Sequence, residues 1–151
     1  LVTPGYFKNP EATAEVREFG WHHTGDIGVM DQDHFITIVD RKKDMIITGG
    51  FNVFPNEIEQ VLSAHPAVQD CAVIGVPDEK WGEAVKAVIQ LKPEVYAGEE
   101  DIILYAKEKL DSVKAPKSVD FMDDLPRSPV GKVLKTEIRA KYWQNQQRSV
   151  N

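Results

Sequence analysis

The chain has 151 residues, of which 42% are hydrophobic and 28% charged, and its formal net charge is -6 at pH 7. This composition is typical of a globular protein, and the negative charge argues against a general nucleic-acid binder. No apolar run reaches the roughly 20 residues that span a bilayer, and no secretory signal opens the chain, so we expect a cytoplasmic protein without a transmembrane segment. The single Cys71 lies in an apolar run, which favours a buried thiol.

The first part of the chain predicts a loop, a short helix and a hairpin. A helical turn is expected around Pro10 to Glu18, within a stretch rich in Pro, Gly and Asn. Two short β-rich runs, Ile27 to Met30 and Phe35 to Val39, flank a polar tetrapeptide and therefore predict a β-hairpin. Five consecutive charges then interrupt the apolar pattern at Asp40 to Asp44. We expect a domain boundary here, with residues 1–42 as one unit and residues 43–151 as the next.

The rest of the chain predicts a compact α+β domain. The spacing of its apolar residues predicts strands and helices in the order β, β, α, β, β, α, β, α. Pro55 stands at a plausible helix start, and acidic residues in the following turn suit the positive end of the helix dipole. The strands are expected at 45–48, 51–54, 68–76, 84–91 and 119–122, and the helices from 55, at 101–110 and from about 134.

The charge is unevenly distributed along the chain. Residues 1–113 carry 10 basic and 20 acidic side chains, whereas residues 114–151 carry 8 basic and 4 acidic side chains. The C-terminal part is therefore locally positive. A solvated helix face and a surface that faces an anion both account for this bias, and the charge pattern does not choose between them.

Several common site types do not fit the sequence. A phosphate-binding loop G-x-x-x-x-G-K-[ST] that ended at Lys132 would need Gly at 126 and Ser or Thr at 133, where the chain has Pro126 and Val133. The four histidines lack metal-ligand spacing, so we expect no metal site. Taken singly, Asp26 could cap a turn, Arg41 could be a solvated surface charge, and Lys132 could lie near the negative end of a helix.

Three longer motifs follow one another along the chain: GWHHTGDIG at 20–28, DRKKDMIITGGFNVFPNEIE at 40–59, and PRSPVGKVLK at 126–135. In this order they resemble the adenylate-forming superfamily of acyl-CoA synthetases, nonribosomal peptide synthetase adenylation domains and beetle luciferases. The resemblance covers nearly the whole chain. It implies the small α+β C-terminal domain of such an enzyme, a mobile lid, preceded by a hairpin stub of the larger N-terminal AMP-binding domain.

The resemblance implies a ligase reaction in two steps. The family makes an acyl-adenylate from a carboxylate and ATP, with Mg²⁺, and then passes the acyl group to a thiol. The second motif is more similar to the CoA ligases, so we expect part of an AMP-forming acyl-CoA synthetase for a fatty or aryl acid. An adenylation domain that serves a carrier protein and a noncatalytic α+β interaction module remain alternatives.

The N-terminal domain of such an enzyme has no counterpart in this sequence. That domain would hold the phosphate loop, the acid that organises Mg²⁺ and the acyl pocket. We therefore expect the chain alone to be inactive and to bind no cofactor tightly. Without the domain on which they would pack, we also expect residues 1–40 to be mobile or to pack on a neighbouring molecule instead.

The resemblance also implies roles for individual residues. Asp26 would accept hydrogen bonds from the ribose hydroxyls of the nucleotide, and Arg41 would reach the ribose and phosphate side. Lys43 would lie at the hinge about which the C-terminal domain rotates between the two half-reactions. Lys132 would stabilise the negative charge that forms at the carboxylate and α-phosphate during adenylation.

A second group of residues is expected to meet CoA. The turn formed by Thr48, Gly49 and Gly50 would lie beside the pantetheine arm, because glycines let a ligand approach the backbone closely. Trp81 and Lys117 are further candidates for contact with CoA. A turn anchor is an equally simple explanation for Trp81.

Overall fold

The structure is a computed structural model, and it describes residues 3–144. Within this range a two-stranded hairpin precedes a five-stranded sheet that is packed with helices, which confirms the predicted α+β class. The elements follow the predicted order. Their bounds are α1 Pro10–Glu15, β1 Asp26–Met30, β2 Ile36–Arg41, β3 Ile46–Thr48, β4 Phe51–Val53, α2 Pro55–Ser63, β5 Val68–Asp78, β6 Gly82–Leu91, α3 Glu99–Lys109, β7 Ser118–Phe121 and α4 Lys135–Ala140.

The N-terminal part, which we call the hairpin region (residues 3–41), consists of α1 and the antiparallel pair β1 and β2. Asn9 caps α1, since its side-chain oxygen accepts the N–H of Ala12 at 3.1 Å. No residue of the hairpin region is buried. Ile36 and Ile38, for example, are 68% and 60% exposed. The hairpin region therefore contributes nothing to the hydrophobic core.

The remaining part, which we call the sheet domain (residues 46–144), is built around the long antiparallel pair β5 and β6. The strand order is β4-β3-β6-β5, and β7 pairs with β6 in parallel. Side chains alternate along β5, so Val73 belongs to one core cluster while Ala72 and Ile74 belong to the other. Both faces of the sheet are thus covered, which explains why the sequence of β5 is almost continuously apolar.

Helices cover the two faces of the sheet. On one face α2 buries Ile58 and Leu62, and α3 buries Ile102. On the other face α4 buries Ile138, and Tyr142 packs against the same cluster just beyond the helix end. The predicted apolar stripe of the last helix is therefore present, although α4 ends at Ala140. No helix among residues 3–144 has the length and apolar character needed to cross a membrane.

Candidate functional site

A cleft of about 700 Å³ lies between the end of α1, the segment that follows it and the hairpin. This volume falls within the range of about 300–1,000 Å³ that is usual for small-molecule sites. Three of the residues implied by the resemblance, Asp26, Arg41 and Lys43, line this cleft together. The cleft is therefore the candidate nucleotide site of the described part of the chain.

Asp26 and Arg41 form the polar centre of this cleft. The register of β1 and β2 places them directly opposite each other, and Arg41 Nε lies 2.8 Å from Asp26 Oδ1. The Asp26 backbone N–H donates to Thr24 Oγ1 at 3.1 Å, and the Lys42 N–H donates to the Gly25 carbonyl at 2.8 Å. Both charged side chains remain partly exposed, at 29% for Asp26 and 58% for Arg41, so a ligand can still reach them.

The turn between β3 and β4 brings Thr48, Gly49 and Gly50 next to Trp81. Gly49 and Gly50 have φ of +57° and +84°, as a two-residue hairpin turn of the primed type requires. The Gly49 N–H donates to the Trp81 carbonyl at 2.9 Å, and Thr48 pairs with Gly82. A Cβ at Gly49 would lie 2.7 Å from the Trp81 ring, so only glycine fits there. Four of the candidate CoA residues therefore form one cluster.

Trp81 both anchors a turn and presents its ring to solvent. Its backbone N–H and that of Lys80 donate to Asp78 Oδ1, at 2.8 and 2.9 Å. The Lys80 ammonium lies 4.7 Å from the centre of the Trp81 ring. Trp81 as a whole residue is 44% exposed. Lys117, in contrast, donates to the carbonyls of Val85 and Ser112. Within residues 3–144 no hydrogen bond or ring contact joins Lys117 to Trp81.

The segment that precedes α4, which we call the Lys132 loop (residues 126–134), is closed by backbone hydrogen bonds. The Leu134 N–H donates to the Pro126 carbonyl and the Ser128 N–H to the Lys132 carbonyl, each at 2.8 Å. The Gly131 N–H donates to the Ser128 carbonyl at 2.8 Å, with Gly131 at φ +81°. The loop is therefore a tight, doubly closed turn, and the left-handed φ explains its glycine.

The Lys132 side chain is exposed, and within residues 3–144 its ammonium makes no hydrogen bond or ion pair. Basic residues on either side of it are paired with acidic residues from earlier in the chain. These ion pairs join Arg127 to Asp70, Lys135 to Glu59 at 2.7 Å and Arg139 to Asp44 at 2.8 Å. The positive bias of residues 114–151 thus has a third explanation, which the sequence did not suggest: much of it is used for ion pairs inside the fold.

The structure does not bring Lys132 to the cleft that contains Asp26 and Arg41. Among the described residues that line that cleft, none belongs to the Lys132 loop. The candidate residues therefore fall into three places: the cleft, the cluster around Trp81 and the Lys132 loop. Lys117 lies apart from the contacts that define them.

Two acidic residues that the sequence did not single out link the elements around these places. The carboxylate of Glu59 lies between α2, β5 and α4, where its Oε1 also accepts the Val73 N–H at 2.7 Å. Burial raises the pKa of this carboxyl above its usual range, and the nearby Lys135 opposes the shift. Asp40 accepts the Asn56 N–H at 2.8 Å and so caps α2 from outside the helix.

The surroundings of Cys71 favour an unreactive thiol. Cys71 is 6% exposed, and burial raises the pKa of its thiol to about 11. The described residues contain no group of three or more His, Cys, Asp or Glu that could hold a metal ion. That the complete protein has no metal ligand in this segment stays a prediction.

Comparisons with known proteins identify the family. The model of the AMP-binding enzyme C-terminal domain matches residues 57–132, and the chain belongs to this family. It is 50% identical over 138 residues to a long-chain-fatty-acid–CoA ligase of Escherichia coli O6:H1, covering 91% of this chain and 24% of the relative. It is 45% identical over 141 residues to the feruloyl-CoA synthase of an Amycolatopsis species, covering 93% and 29%.

The fold also agrees with a solved structure. ATP-bound MatB from Rhodopseudomonas palustris superposes with a TM-score of 0.83 at 42% identity, over 93% of this chain and 28% of that one. The chain thus spans 24% and 29% of the lengths of the two curated relatives named above. The three motifs predicted a C-terminal domain of the adenylate-forming enzymes, and the comparisons confirm this family. The roles of individual site residues stay predictions.

Proposed function

We propose that this chain is the C-terminal part of an ATP-dependent, AMP-forming acyl-CoA synthetase. The observation that carries the proposal is the state of Lys132: its ammonium is exposed and makes no ion pair among the described residues, while Arg127, Lys135 and Arg139 around it are all paired. A lysine kept available on a tightly closed loop is suited to meet an anion that comes from outside the domain.

The cleft of the hairpin region is proposed to hold the ribose of ATP. The carboxylate of Asp26 can accept two hydroxyl groups at once, and the partly exposed guanidinium of Arg41 can donate to the ribose and phosphates. Lys43, at the rim of the same cleft, is the proposed hinge. Residues 1–42 then belong to the N-terminal AMP-binding domain and residues 43–151 to the rotating domain.

Lys132 is proposed to act only in the adenylation half-reaction. There its ammonium would stabilise negative charge on the carboxylate oxygen and the α-phosphate as the bond between them forms. None of the described residues that line the cleft belongs to the Lys132 loop, which supports a mechanism in which the domain rotates to bring them together. One rotated state would present Lys132, and the other would present the turn at Gly49.

The second rotated state is proposed to bind CoA. The turn of Thr48, Gly49 and Gly50 offers bare backbone beside the exposed ring of Trp81, against which the pantetheine arm could lie. Lys117 is proposed to contact a CoA phosphate. Within residues 3–144 no hydrogen bond or ring contact joins Lys117 to the Trp81 cluster, so a CoA molecule that met both would extend over the surface of the domain.

The substrate is proposed to be a fatty or aryl carboxylic acid. The names of the two curated relatives, a long-chain-fatty-acid–CoA ligase and a feruloyl-CoA synthase, support both acid types. The acyl pocket, the phosphate loop and the Mg²⁺ that accompanies ATP are assigned to the N-terminal domain. We further propose a cytoplasmic location, and that the chain alone neither catalyses the reaction nor holds a cofactor tightly.

The test is Lys132→Ala in the complete enzyme, with the two half-reactions measured separately. Because one preorganised charge donor is lost, acyl-adenylate formation should slow by about a hundredfold to a thousandfold. Thioester formation from supplied acyl-adenylate should keep the wild-type rate. Pyrophosphate release and acyl-CoA formation in single turnovers report the two steps.

Lys141→Ala is the matched control, since it removes an exposed lysine from the same C-terminal segment. It should leave both half-reactions at wild-type rates. Equal losses in both steps for Lys132→Ala would refute the assigned role. Wild-type protein that forms no acyl-adenylate with any carboxylate would favour the noncatalytic interaction module, and transfer to a carrier protein instead of CoA would favour the carrier-dependent alternative.

A further inference from the structure

Side chains, as well as backbone groups, fix the Lys132 loop. The Arg127 guanidinium donates through Nη1 to the Gly131 carbonyl at 3.1 Å and through Nη2 to the Asp70 carboxylate. The N–H of Lys132, which belongs to the same peptide group as that carbonyl, donates to Ser128 Oγ at 3.2 Å. Both polar groups of the peptide that joins Gly131 to Lys132 are therefore bound by side chains.

Asp70 connects this arrangement to the sheet. It lies in β5 at a point where the pairing with β6 is irregular, between Val68 and Asp70. One carboxylate oxygen accepts the Cys71 N–H at 2.8 Å, and the other accepts from Arg127. A continuous path thus runs from the central strand pair through the carboxylate and the guanidinium to the backbone of the Lys132 loop.

We propose that Arg127, held by Asp70, is a positioning residue for Lys132. It fixes the peptide plane from which the lysine side chain leaves the loop, and it acts on the reaction only through that lysine. A flexible four-carbon side chain needs a fixed starting point if its ammonium is to reach one place repeatedly. The guanidinium suits the task because it donates in two directions at once from a rigid plane.

This proposal rests on the proposed role of Lys132 in adenylation, and it is tested in the complete enzyme. Arg127→Ala and Asp70→Asn should slow acyl-adenylate formation by roughly tenfold to a hundredfold, since small misplacements of a catalytic group have effects of this size. The KM for ATP and the rate of thioester formation from supplied acyl-adenylate should not change. Arg127→Lys should be as slow as Arg127→Ala, because one ammonium cannot replace the two-directional fork.

A double variant separates positioning from general stability. Once Lys132 is replaced by alanine, Arg127 has nothing left to position, so Arg127→Ala/Lys132→Ala should be no slower than Lys132→Ala alone. Losses that multiply in the double variant would overturn the proposal. So would an Arg127→Ala enzyme in which both half-reactions slow equally.

Glu57→Gln provides the matched control for Asp70→Asn. It disrupts the ion pair of Glu57 with Lys114, which spans 2.8 Å and has side-chain exposures of 43% and 33%, close to the 31% and 36% of Asp70 and Arg127. The control should keep wild-type adenylation. A loss equal to that of Asp70→Asn would mean that any ion pair of this kind matters, which would also overturn the proposal.

Amide hydrogen exchange gives a readout that does not depend on catalysis. In Arg127→Ala the amides of Lys132 and Leu134 should exchange faster, while β5 and β6 keep their protection. Unchanged exchange in the loop would overturn the proposal. If Lys132→Ala has wild-type adenylation but the loop responds to Arg127→Ala, the failure lies in the proposed function of Lys132 and not in the link from Arg127 to the loop.

Discussion

The hairpin region and the sheet domain place their apolar side chains in opposite ways. In the sheet domain Ile58 and Leu62 are fully buried, whereas in the hairpin region Val29, Ile36 and Ile38 are 59%, 68% and 60% exposed. Both parts contain an antiparallel strand pair with one register shift. The hairpin therefore depends on backbone hydrogen bonds and on its own ion pair, while the sheet domain depends on burial.

This difference in burial shows which of the two regions can be stable without a partner. A two-stranded hairpin without a buried face is marginally stable in water, and exposed apolar side chains close together, such as Ile36 and Ile38 on one face of β2, commonly mark a protein interaction surface. The sheet domain, with helices over both faces, has a core of its own. The exposed side chains of the hairpin are where the proposed N-terminal domain would pack, and the candidate nucleotide cleft lies in that same region.

The largest effect should come from one matched pair of substitutions across the two regions. Ile58→Ala removes a fully buried side chain and should lower the free energy of unfolding by about 2–5 kcal/mol, through lost burial and the remaining cavity. Ile38→Ala, at a side chain that is 60% exposed, should change it by no more than about 0.5 kcal/mol. Urea unfolding of both variants measures the difference. Similar losses would show that the hairpin shares the core after all.

A second test concerns Asp44, which lies between the two regions and next to the proposed hinge. Asp44 pairs with Arg139 of α4 at 2.8 Å, with side-chain exposures of only 15% and 10%. Arg139→Ala should destabilise the protein by roughly 3 kcal/mol, because it leaves the Asp44 carboxylate buried without its partner charge. Thermal or urea unfolding provides the measurement.

Lys114→Ala is the control for this second test. It breaks ion pairs whose side chains are 33% to 58% exposed, and such pairs contribute about 0–1 kcal/mol. If Arg139→Ala cost no more than this control, the pair would not hold the segment after Lys43 to α4. The pivot could then extend into the sheet domain.

The sequence predicted those features of the fold that depend on residues close together in the chain. Pro55 at a helix start, the apolar run of β5 and the glycine pair at the turn each depend on a few neighbouring residues, and each was predicted. The order of all eight elements after residue 44 follows from such signals. Asp26, Arg41 and Lys132 were identified by motif resemblance and not by any property that a single residue displays.

The ion pairs were missed because their partners are distant in the sequence. Arg127 lies 57 residues from Asp70, Lys135 lies 76 from Glu59, and Arg139 lies 95 from Asp44. Apolar periodicity contains no information on such pairings. The opposite charge biases of residues 1–113 and 114–151 were a signal for them, but without the fold the same bias fitted a solvated face or an anion site equally well.

The smallest expected effect tests the contact between the two regions themselves. Phe54 provides no side-chain cap for α2, and Asp40, from the hairpin region, accepts the Asn56 N–H at 2.8 Å instead. The Asn56 side chain donates in turn to the Val39 carbonyl at 3.2 Å. These bonds cross the proposed hinge, so a rotation about Lys43 would have to break them.

Asp40→Ala should therefore lower the free energy of unfolding by about 1 kcal/mol, the usual cost of losing a helix cap. Asp33→Ala, which removes the same charge from the hairpin turn, is the control and should have almost no effect. If Asp40→Ala equals this control, the hairpin spends most of its time away from α2. The cap would then exist in one domain orientation only, and its loss should instead change how the two orientations are populated.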